Sequence, residues 1–450
     1  MQDDLNQIAE EAKELLSEKK YAKLYGIIKE MMPADIALLF EELPIEDVTL
    51  LFRLLPKTLA ADTFVEMDSE QQKKLITAFS DSELKAVIDE LYVDDTVDII
   101  EEMPANVVRR MIQYVSPEMR KSINEILQYP ADSAGSIMTV EFVDLSREMT
   151  IDQAFDHIRE NGYDKETIYT CYVIDRNRKL QGVVSVQQLL LCSRNMTVGD
   201  LMEENVVFCR TTDDKEDVAQ TLNKYGFLAL PVVDNEDRLV GIVTFDDAID
   251  VLTEEATEDM EKMAAILPSE KTYLKTGVFA TWKQRIPWLL LLMISATFTG
   301  KIITSAEDAL SRYVVLTAFI PMLMDTGGNA GGQSSVTIIR GLSLGEISFS
   351  DWLSVLWKEI RVSLLCGLTL AAANFVKILV VDQVAVQVAA VVCITLVAVV
   401  FIAKIVGCLL PILAKRIGFD PAVMASPFIT TIVDALALAV YFRVATLLLS

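Results

Sequence analysis

The feature that most constrains this 450-residue sequence is its division into an acidic part and an apolar part. Residues 1–270 carry 56 aspartates and glutamates against 26 lysines and arginines, whereas residues 271–450 carry 9 against 14. The apolar part contains five runs of membrane-spanning length, at about 286–304, 313–340, 359–381, 385–413 and 422–448. The sequence therefore predicts a multi-domain membrane protein in which an acidic water-soluble part precedes a transmembrane domain of five helices at 281–450.

The composition argues against several classes of function. Nucleic-acid binding depends on basic side chains that neutralise phosphates, so the acidic excess argues against it. It favours a cation as partner, because crowded carboxylates repel unless positive charge lies between them. His157 is the single histidine, and the six cysteines form no C-x-x-C pair or zinc spacing. We find no nucleophile–base pair or Walker loop either, and we predict that the protein is not an enzyme.

Residues 1–130 alternate short apolar helical stripes with breaks, as in LPIEDVTLLFRLLP. Each unit is too short to bury its apolar face alone, so the pattern predicts an all-helical superhelical domain. Within it, Asp94 and Asp98 are four residues apart and flank Asp95. Like charges at this spacing repel on one helix face. The cluster is either solvated charge or a surface that cations bridge.

Residues 131–255 contain an internal repeat. Each copy begins at a methionine, Met138 or Met202, and runs through a helix, a β-branched strand, a Gly-x-Val-Ser/Thr turn and a helix. This α/β pattern resembles a tandem pair of CBS domains. Such pairs often bind adenosine nucleotides, with the ribose held by an Asp three residues after the Ser/Thr. That position is Gln188 in the first copy and Asp247 in the second, which puts nucleotide binding in doubt.

An acidic helix is predicted to connect the repeat to the membrane, over about 256–280. The preceding segment DDAIDVLTEEATEDMEKMAAIL, residues 246–267, places acids at helical spacing on one face and the next. It is either an exposed linker or a stripe that cations neutralise, since oxygen ligands suit hard cations.

Asp434 lies near the middle of the last apolar run, in GFDPAVMASPFITTIVDALALAVY. An acid at that depth costs about 2.5–3.5 kcal/mol on insertion scales and faces a bundle interior or a wet pathway. One interpretation is a packing acid satisfied by hydroxyls such as those of Thr430 and Thr431. The other is a ligand in an ion pathway.

The second apolar run contains PMLMDTGGNAGGQSS, residues 321–335. Glycines at membrane depth permit close helix packing or irregular backbone around a cavity. Packing alone does not explain Asp325 and Asn329 beside them. Their oxygen ligands are suited to a hard cation.

These two segments, together with the order of helical domain, CBS pair, acidic helix and five spans, resemble the MgtE family of magnesium channels and transporters along essentially the whole chain. The resemblance implies a homodimer with its pore between the subunits, lined by the second and fifth spans. It implies that Mg²⁺ is both transported and regulatory, and that cytoplasmic Mg²⁺ closes the pore by bridging the acidic domains. The pore residues that it implies are Asp434, Asp420, Asp325, Gly328 and Asn329.

The resemblance also implies a set of cytoplasmic ligands for regulatory Mg²⁺. They are Asp62, Asp94, Asp98, Asp214, Glu216, Asp247, Asp250, Glu255, Glu258 and Asp259. The sequence departs from the family pattern at Asn223 and Gly226, where an Asp at the latter position would supply a ligand. At least one regulatory site is therefore expected to be missing or rearranged.

Basic residues between the spans set the expected orientation. They are more frequent on the side that holds the acidic part, for example at Lys283, Arg340 and Lys415, than on the other side. The positive-inside rule then places the N-terminus in the cytoplasm and the C-terminus outside a cell membrane. Two alternative functions remain: a membrane receptor that senses adenosine nucleotides through the CBS pair, and a channel for another divalent cation such as Co²⁺ or Ca²⁺.

Overall fold

The computed structural model describes residues 2–269, 273–306, 311 and 313–449. The chain forms two compact units, Met1–Leu252 and Thr253–Ser450. Residues 270–272 of the predicted connecting segment 256–280 lie outside the described residues.

The first unit begins with consecutive short helices that pack against one another. Helix starts are fixed locally: the Asp68 carboxylate accepts from the Gln71 amide, and Ser80 forms a capping box with Glu83. Packing follows an alternating order, α3 with α5, α5 with α7 and α7 with α9. This agrees with the all-helical stack predicted for 1–130. Helices α1 to α10 are Gln2–Ser17, Tyr21–Ile28, Pro33–Glu41, Ile45–Phe52, Lys57–Val65, Ser69–Ala78, Asp81–Ile88, Val93–Glu102, Ala105–Tyr114 and Pro117–Ile126.

The predicted repeat forms two three-stranded sheets with the same topology. In each, the first strand is parallel to the second and the second is antiparallel to the third. The strands are β1 Phe142–Ser146, β2 Thr167–Ile174, β3 Leu180–Ser185, β4 Cys209–Arg210, β5 Ala229–Val233 and β6 Leu239–Thr244. The accompanying helices are α11 Ile151–Asn161, α12 Val186–Leu191, α13 Val198–Leu201, α14 Lys215–Tyr225 and α15 Phe245–Met263.

The first methionine of each copy packs against the other copy. Met138 of the first copy packs over Gly241 of the second, where an added Cβ would lie 2.7 Å from the methionine sulfur. Met202 packs over Gly182 of the first copy in the same way, with a corresponding distance of 2.9 Å. The Gly of the Gly-x-Val motif is therefore required by close packing between the copies.

The second unit is built from long helices. They are α16 Val278–Ser305, α17 Ile320–Ser343, α18 Trp352–Lys377, α19 Val386–Arg416 and α20 Ser426–Leu449. Packing is densest where α17 and α18 lie against α19 and where α20 lies against α17 and α19. A buried apolar core joins these helices around Leu323, Leu396 and Val433.

Four helical segments among the described residues are long and apolar enough to cross a membrane: Val278–Ser305, Phe349–Asp382, Val386–Arg416 and Pro421–Leu449. They coincide with four of the five predicted spans. The other predicted span, 313–340, is a 3-10 turn at Val314–Phe319 followed by α17, which has 24 residues. Helix α17 is not among those four segments. This helix is less apolar than its neighbours because it contains several glycines and the polar residues Asp325, Asn329 and Gln333.

Candidate cation pathway and regulatory sites

Asp434 lies on α20, which the apolar sequence makes helical throughout. Its Oδ1 atom is buried and has no hydrogen-bond partner among the described residues. The Thr431 hydroxyl, one of the two expected to satisfy it, donates instead to the Pro427 carbonyl at 3.1 Å. The carboxylate of Asp325 on α17 is the charged group that repels Asp434. A half-buried acid with one buried, vacant acceptor oxygen is suited to a cation or its water shell better than to packing.

The glycine-rich segment stays helical within α17 and packs closely against its neighbours. A Cβ added at Gly328 would lie 3.0 Å from the Thr430 side chain of α20. A Cβ added at Gly407 of α19 would overlap the carbonyl of Gly331. Of the two expectations, irregular backbone or close packing, the structure has close packing. The packing brings Asp325 on α17 near Asp434 on α20.

We expect Gly407→Ala to destabilise the membrane unit, because the new methyl group overlaps backbone that cannot move away. Overpacking of this kind costs about 1–3 kcal/mol, so the detergent-solubilised protein should melt at a lower temperature. Gly300→Ala on α16 is the matched control, since a Cβ there meets nothing within 4 Å. Equal melting temperatures for the two variants would contradict the close contact.

The polar face of α17 borders a cavity of about 470 Å³. Asp325, Asn329 and Gln333 lie along it at successive helical turns. Thr326 of α17, Thr369 of α18 and Lys404 of α19 add to its polar lining. The predicted pore residues Asp325 and Asn329 therefore share one cavity. Gly328 lies on the adjoining face of α17, against α20.

The sequence analysis missed a buried charge network beside this cavity. Lys404 is 5% exposed, and its Nζ donates to Ser334 Oγ at 3.2 Å and lies 3.8 Å from Glu359 Oε2. The Ser334 hydroxyl in turn donates to Glu359 Oε2 at 2.6 Å. A lysine inside the apolar run 385–413 was a detectable signal, by the same argument that singled out Asp434. Its partners were not detectable, since they come from other helices.

The C-terminal end of α15 lies at the segment that leads into α20. Asp420 begins the short 3-10 helix Pro421–Met424, and its Oδ1 accepts from the Ala422 amide at 2.7 Å. Its Oδ2 lies 2.6 Å from Nζ of Lys262, which also lies 2.7 Å from Glu258 Oε1. Burial opposes the charge on Lys262, but hydrogen bonds with Asp420 and Glu258 outweigh it and raise its pKa to about 12.

Asp259, the residue that follows Glu258 on α15, accepts a hydrogen bond from the Ser343 hydroxyl at 3.0 Å. Ser343 is the last residue of α17. Met263 packs against Ile339 and Ala422. The structure therefore gathers three of the predicted acids, Glu258, Asp259 and Asp420, at one end of the membrane unit.

A second group of acids forms inside the first unit. Asp94 of α8 is 8% exposed, and Asp247 at the start of α15 accepts from the Thr244 hydroxyl at 2.6 Å. Asp95 and Glu166 repel both of them, and Asp62 of α5 repels Asp95. Among the predicted regulatory residues, Asp62, Asp94 and Asp247 are brought together. Asp95 and Glu166 were not predicted as ligands.

Burial and mutual repulsion raise the pKa values of this acidic cluster. Burial is the larger cause, and repulsion by neighbouring carboxylates adds to it. Together they raise the pKa of Asp95 to about 7, that of Glu166 to about 7 and that of Asp247 to about 6. The pKa of Asp94 lies well above its usual range for the same reasons. Over the described part of the chain, however, no three histidine, cysteine, aspartate or glutamate side chains converge closely enough to hold a metal.

The remaining predicted regulatory residues lie elsewhere. Asp98 and Asp250 are exposed, and Glu255 is half-buried. Asp214 is exposed and caps α14, its carboxylate accepting from the Glu216 amide at 2.9 Å. Gly226, where the family pattern would place a ligand, ends α14 in the left-handed conformation with φ of 66°. Glycine is favoured at such a helix end, which accounts for the residue here.

The two CBS copies enclose a cleft of about 720 Å³. At the position expected for a ribose-binding acid, the Gln188 side chain caps α12 through Ser185 and donates to Glu203 at 3.3 Å. The buried hydroxyl of Tyr172, which lines the cleft, has no hydrogen-bond partner in the described part of the chain. Among the described residues lining the cleft there is no lysine, arginine or histidine to meet a phosphate.

Comparison with known families covers most of the chain. The family described as "Divalent cation transporter" (MgtE) matches residues 320–444. The MgtE intracellular N domain matches residues 31–132, and CBS domains match residues 134–194 and 198–254. The matched regions correspond to most of the helical stack, the two sheets and the long helices α17 to α20.

Related proteins match over nearly the full length. The chain is 36% identical to the magnesium transporter MgtE of Thermus thermophilus, over 98% of each chain. It is 31% identical to the magnesium transporter MgtE of Bacillus subtilis, over 96% of this chain and 95% of the other. Its fold is similar to a crystal structure of the cytosolic domain of the Mg²⁺ channel MgtE in complex with ATP, with 34% identity and a TM-score of 0.52. That match covers 54% of this chain and 99% of the other. The chain belongs to the MgtE family.

Proposed function

We propose that this protein is a magnesium channel or transporter that mediates Mg²⁺ uptake, with no chemical step. The observation that carries the proposal is the buried, unpartnered Oδ1 of Asp434 beside Asp325 in a membrane helix. Mg²⁺ dehydrates reluctantly and keeps most of its waters in proteins. A single unpartnered carboxylate oxygen can hold such a hydrated ion through water, loosely enough for the ion to leave.

The pore is proposed to lie between two copies of the chain, each contributing one Asp434. Helices α17 and α20, which belong to the second and fifth predicted spans, line it. We assign residues 1–130 to a superhelical N-terminal domain and residues 131–255 to the CBS pair. Residues 256–280 form the acidic connecting segment, and residues 281–450 form the transmembrane domain. The N-terminus faces the cytoplasm and the C-terminus the outside of the cell membrane. The membrane potential then draws the cation inward.

Regulation is proposed to act through the acidic cluster around Asp94, Asp95 and Asp247. Without Mg²⁺ these buried carboxylates repel, which opens the packed arrangement of the first unit. When Mg²⁺ is plentiful it neutralises them and stabilises the compact arrangement, a population shift by a ligand with differential affinity. The transported ion thus closes its own path. Helix α15 begins at this cluster and reaches Asp420, so it is the element that carries the signal.

The alternative of a nucleotide receptor is less well supported. The cleft between the CBS copies lacks basic side chains among its described lining, and Gln188 is engaged in capping α12. A receptor would also have no need for an unpartnered acid within the membrane. Co²⁺ and Ca²⁺ are hard or borderline cations that the same oxygen ligands can hold, so the choice of ion is decided by measurement.

The test is a flux assay in liposomes that enclose a magnesium-sensitive dye. Reconstituted protein should admit Mg²⁺ at a rate well above that of protein-free liposomes, and Co²⁺ or Ca²⁺ should be admitted more slowly. Flux of Mg²⁺ no faster than in empty liposomes would refute the transport proposal. Faster flux of Ca²⁺ than of Mg²⁺ would refute the choice of ion.

A further inference from the structure

Lys262 lies between two acids at the C-terminal end of α15. Its Nζ atom is 2.7 Å from Glu258 Oε1, one turn earlier on the same helix, and 2.6 Å from Asp420 Oδ2 in the segment leading to α20. The Lys262 side chain is 23% exposed. Two contacts this short, made by one partly buried ammonium, form a bridge between α15 and the pore segment.

The bridge engages one oxygen of each carboxylate that a metal ion between them would use. Asp420 Oδ1 already accepts from the Ala422 amide at 2.7 Å, and Oδ2 meets the ammonium. Mg²⁺ prefers oxygens at about 2.0–2.1 Å in an octahedron and keeps several waters. An ammonium at 2.6–2.7 Å satisfies the same two carboxylates with a single charge and no water shell.

Other contacts between α15 and the membrane helices lie at the same end of α15. The Asp259 carboxylate accepts from Ser343 Oγ at 3.0 Å, and Met263 packs on Ile339 and Ala422. Without the ammonium, Glu258, Asp259 and Asp420 would face one another as three uncompensated negative charges. Repulsion among them would separate α15 from α17 and from the segment that leads to Asp434.

We propose that Lys262 is a built-in counter-ion that holds α15 on the pore segment by occupying the position between Glu258 and Asp420. The inference rests on the proposed function, since it assigns to this contact the closed state of the pore. The chain itself then compensates one of the two negative charges of Glu258 and Asp420, and regulatory Mg²⁺ acts at the acidic cluster of the first unit. Lys262 is a positioning residue that acts through Asp420.

The proposal predicts how Mg²⁺ flux changes when the positive charge at position 262 is removed or retained. In liposomes, Lys262→Met should raise Mg²⁺ flux at low internal Mg²⁺ by about threefold to tenfold, since the contact between α15 and the pore segment is weakened. It should also raise the internal Mg²⁺ concentration that halves the flux. Lys262→Arg, which keeps the charge, should follow the wild type. Lys377→Met is the matched control, because it breaks another lysine–aspartate pair of 2.7 Å, to Asp382, in the same unit.

Superimposable flux curves for wild type and Lys262→Met would overturn the proposal, and so would equal increases in the Met and Arg variants. A second measurement does not depend on flux. Mn²⁺ bound per full-length chain, measured by electron paramagnetic resonance, should increase by about one in Lys262→Met because Glu258 and Asp420 become vacant. An unchanged Mn²⁺ count would overturn the proposal even if the wild type showed no flux, an outcome that would refute the transport function separately.

Discussion

Replacement of Asp434 by asparagine is expected to reduce Mg²⁺ flux by at least about 100-fold while leaving the protein folded. The amide keeps the shape of the side chain and removes the charge that attracts the cation. An attraction of about 3 kcal/mol corresponds to that factor. The measurement is Mg²⁺ entry into dye-loaded liposomes that contain equal amounts of wild type and variant.

The stability of the Asp434→Asn protein is expected to stay the same or rise, although its Mg²⁺ flux falls. An acid at this depth costs about 2.5–3.5 kcal/mol on insertion scales, and its Oδ1 has no partner here, so the neutral side chain should be easier to bury. The Asp434→Asn protein should therefore melt at the same temperature as the wild type or higher. Loss of flux together with retained stability separates a pathway ligand from a packing acid.

Asp382→Asn is the control for Asp434→Asn. Asp382 is another acid of the membrane unit, and its carboxylate forms an ion pair with Lys377 at 2.7 Å. Its replacement should leave the flux near that of the wild type. If Asp434→Asn conducts Mg²⁺ as fast as Asp382→Asn, Asp434 is not the pore acid.

The second large expected effect is a pH dependence of stability that arises from the acidic cluster of Asp94, Asp95, Glu166 and Asp247. Their pKa values are raised, to about 7 for Asp95 and Glu166 and about 6 for Asp247, so the compact state binds more protons than the unfolded chain. The stability that protonation provides is fully present below the unfolded pKa values of about 4 and is lost as the pH rises through about 6–7.

Without Mg²⁺, the full-length protein should therefore become several-fold more sensitive to proteolysis within residues 1–252 between pH 5.5 and pH 8. Mg²⁺ at millimolar concentration should restore resistance, and its effect should be larger at pH 8, where no protons compete for the carboxylates. Limited proteolysis across this pH range, with and without Mg²⁺, measures both effects.

Variants of single acids provide the controls for the pH dependence. Asp95→Asn removes one repelling charge, so resistance without Mg²⁺ should rise and should depend less on pH. Asp164→Asn, at an exposed site in the same unit, should behave as the wild type. Resistance that is independent of both pH and Mg²⁺ in the wild type would rule out ion bridging at this cluster.

Local sequence patterns were sufficient to predict much of the architecture. The short apolar stripes of 1–130 and the repeated Gly-x-Val-Ser/Thr motif predicted the helical stack and the paired sheets, because helix and strand periodicity depend on neighbouring residues. The sequence also showed that Asp434 is energetically costly to insert into a membrane and that residues 321–335 are unusually rich in glycine. Gly226 was noted in the sequence as a departure, and its reason, a left-handed helix end, became visible only with the backbone.

Contacts between distant residues were decided by the tertiary structure alone. Asp94 and Asp98 share a helical spacing, yet Asp94 is buried and Asp98 exposed, because the packing partners of α8 cover only part of its surface. Glu166 joins Asp95 from 71 positions further along the chain. Lys404 meets Glu359, and Lys262 meets Asp420, across different helices.

The sequence by itself determined most of the helices, the sheets and the membrane runs, and it singled out Asp434 as an acid too costly to bury by chance. It did not determine where the acidic helix ends, since helix was predicted over 256–280 and the structure ends it at Met263. Only the tertiary structure decided which charges meet. The physical reason is that hydrophobic periodicity is set by the nearest few residues, whereas the neutralisation of a buried charge depends on side chains that packing brings from elsewhere in the chain.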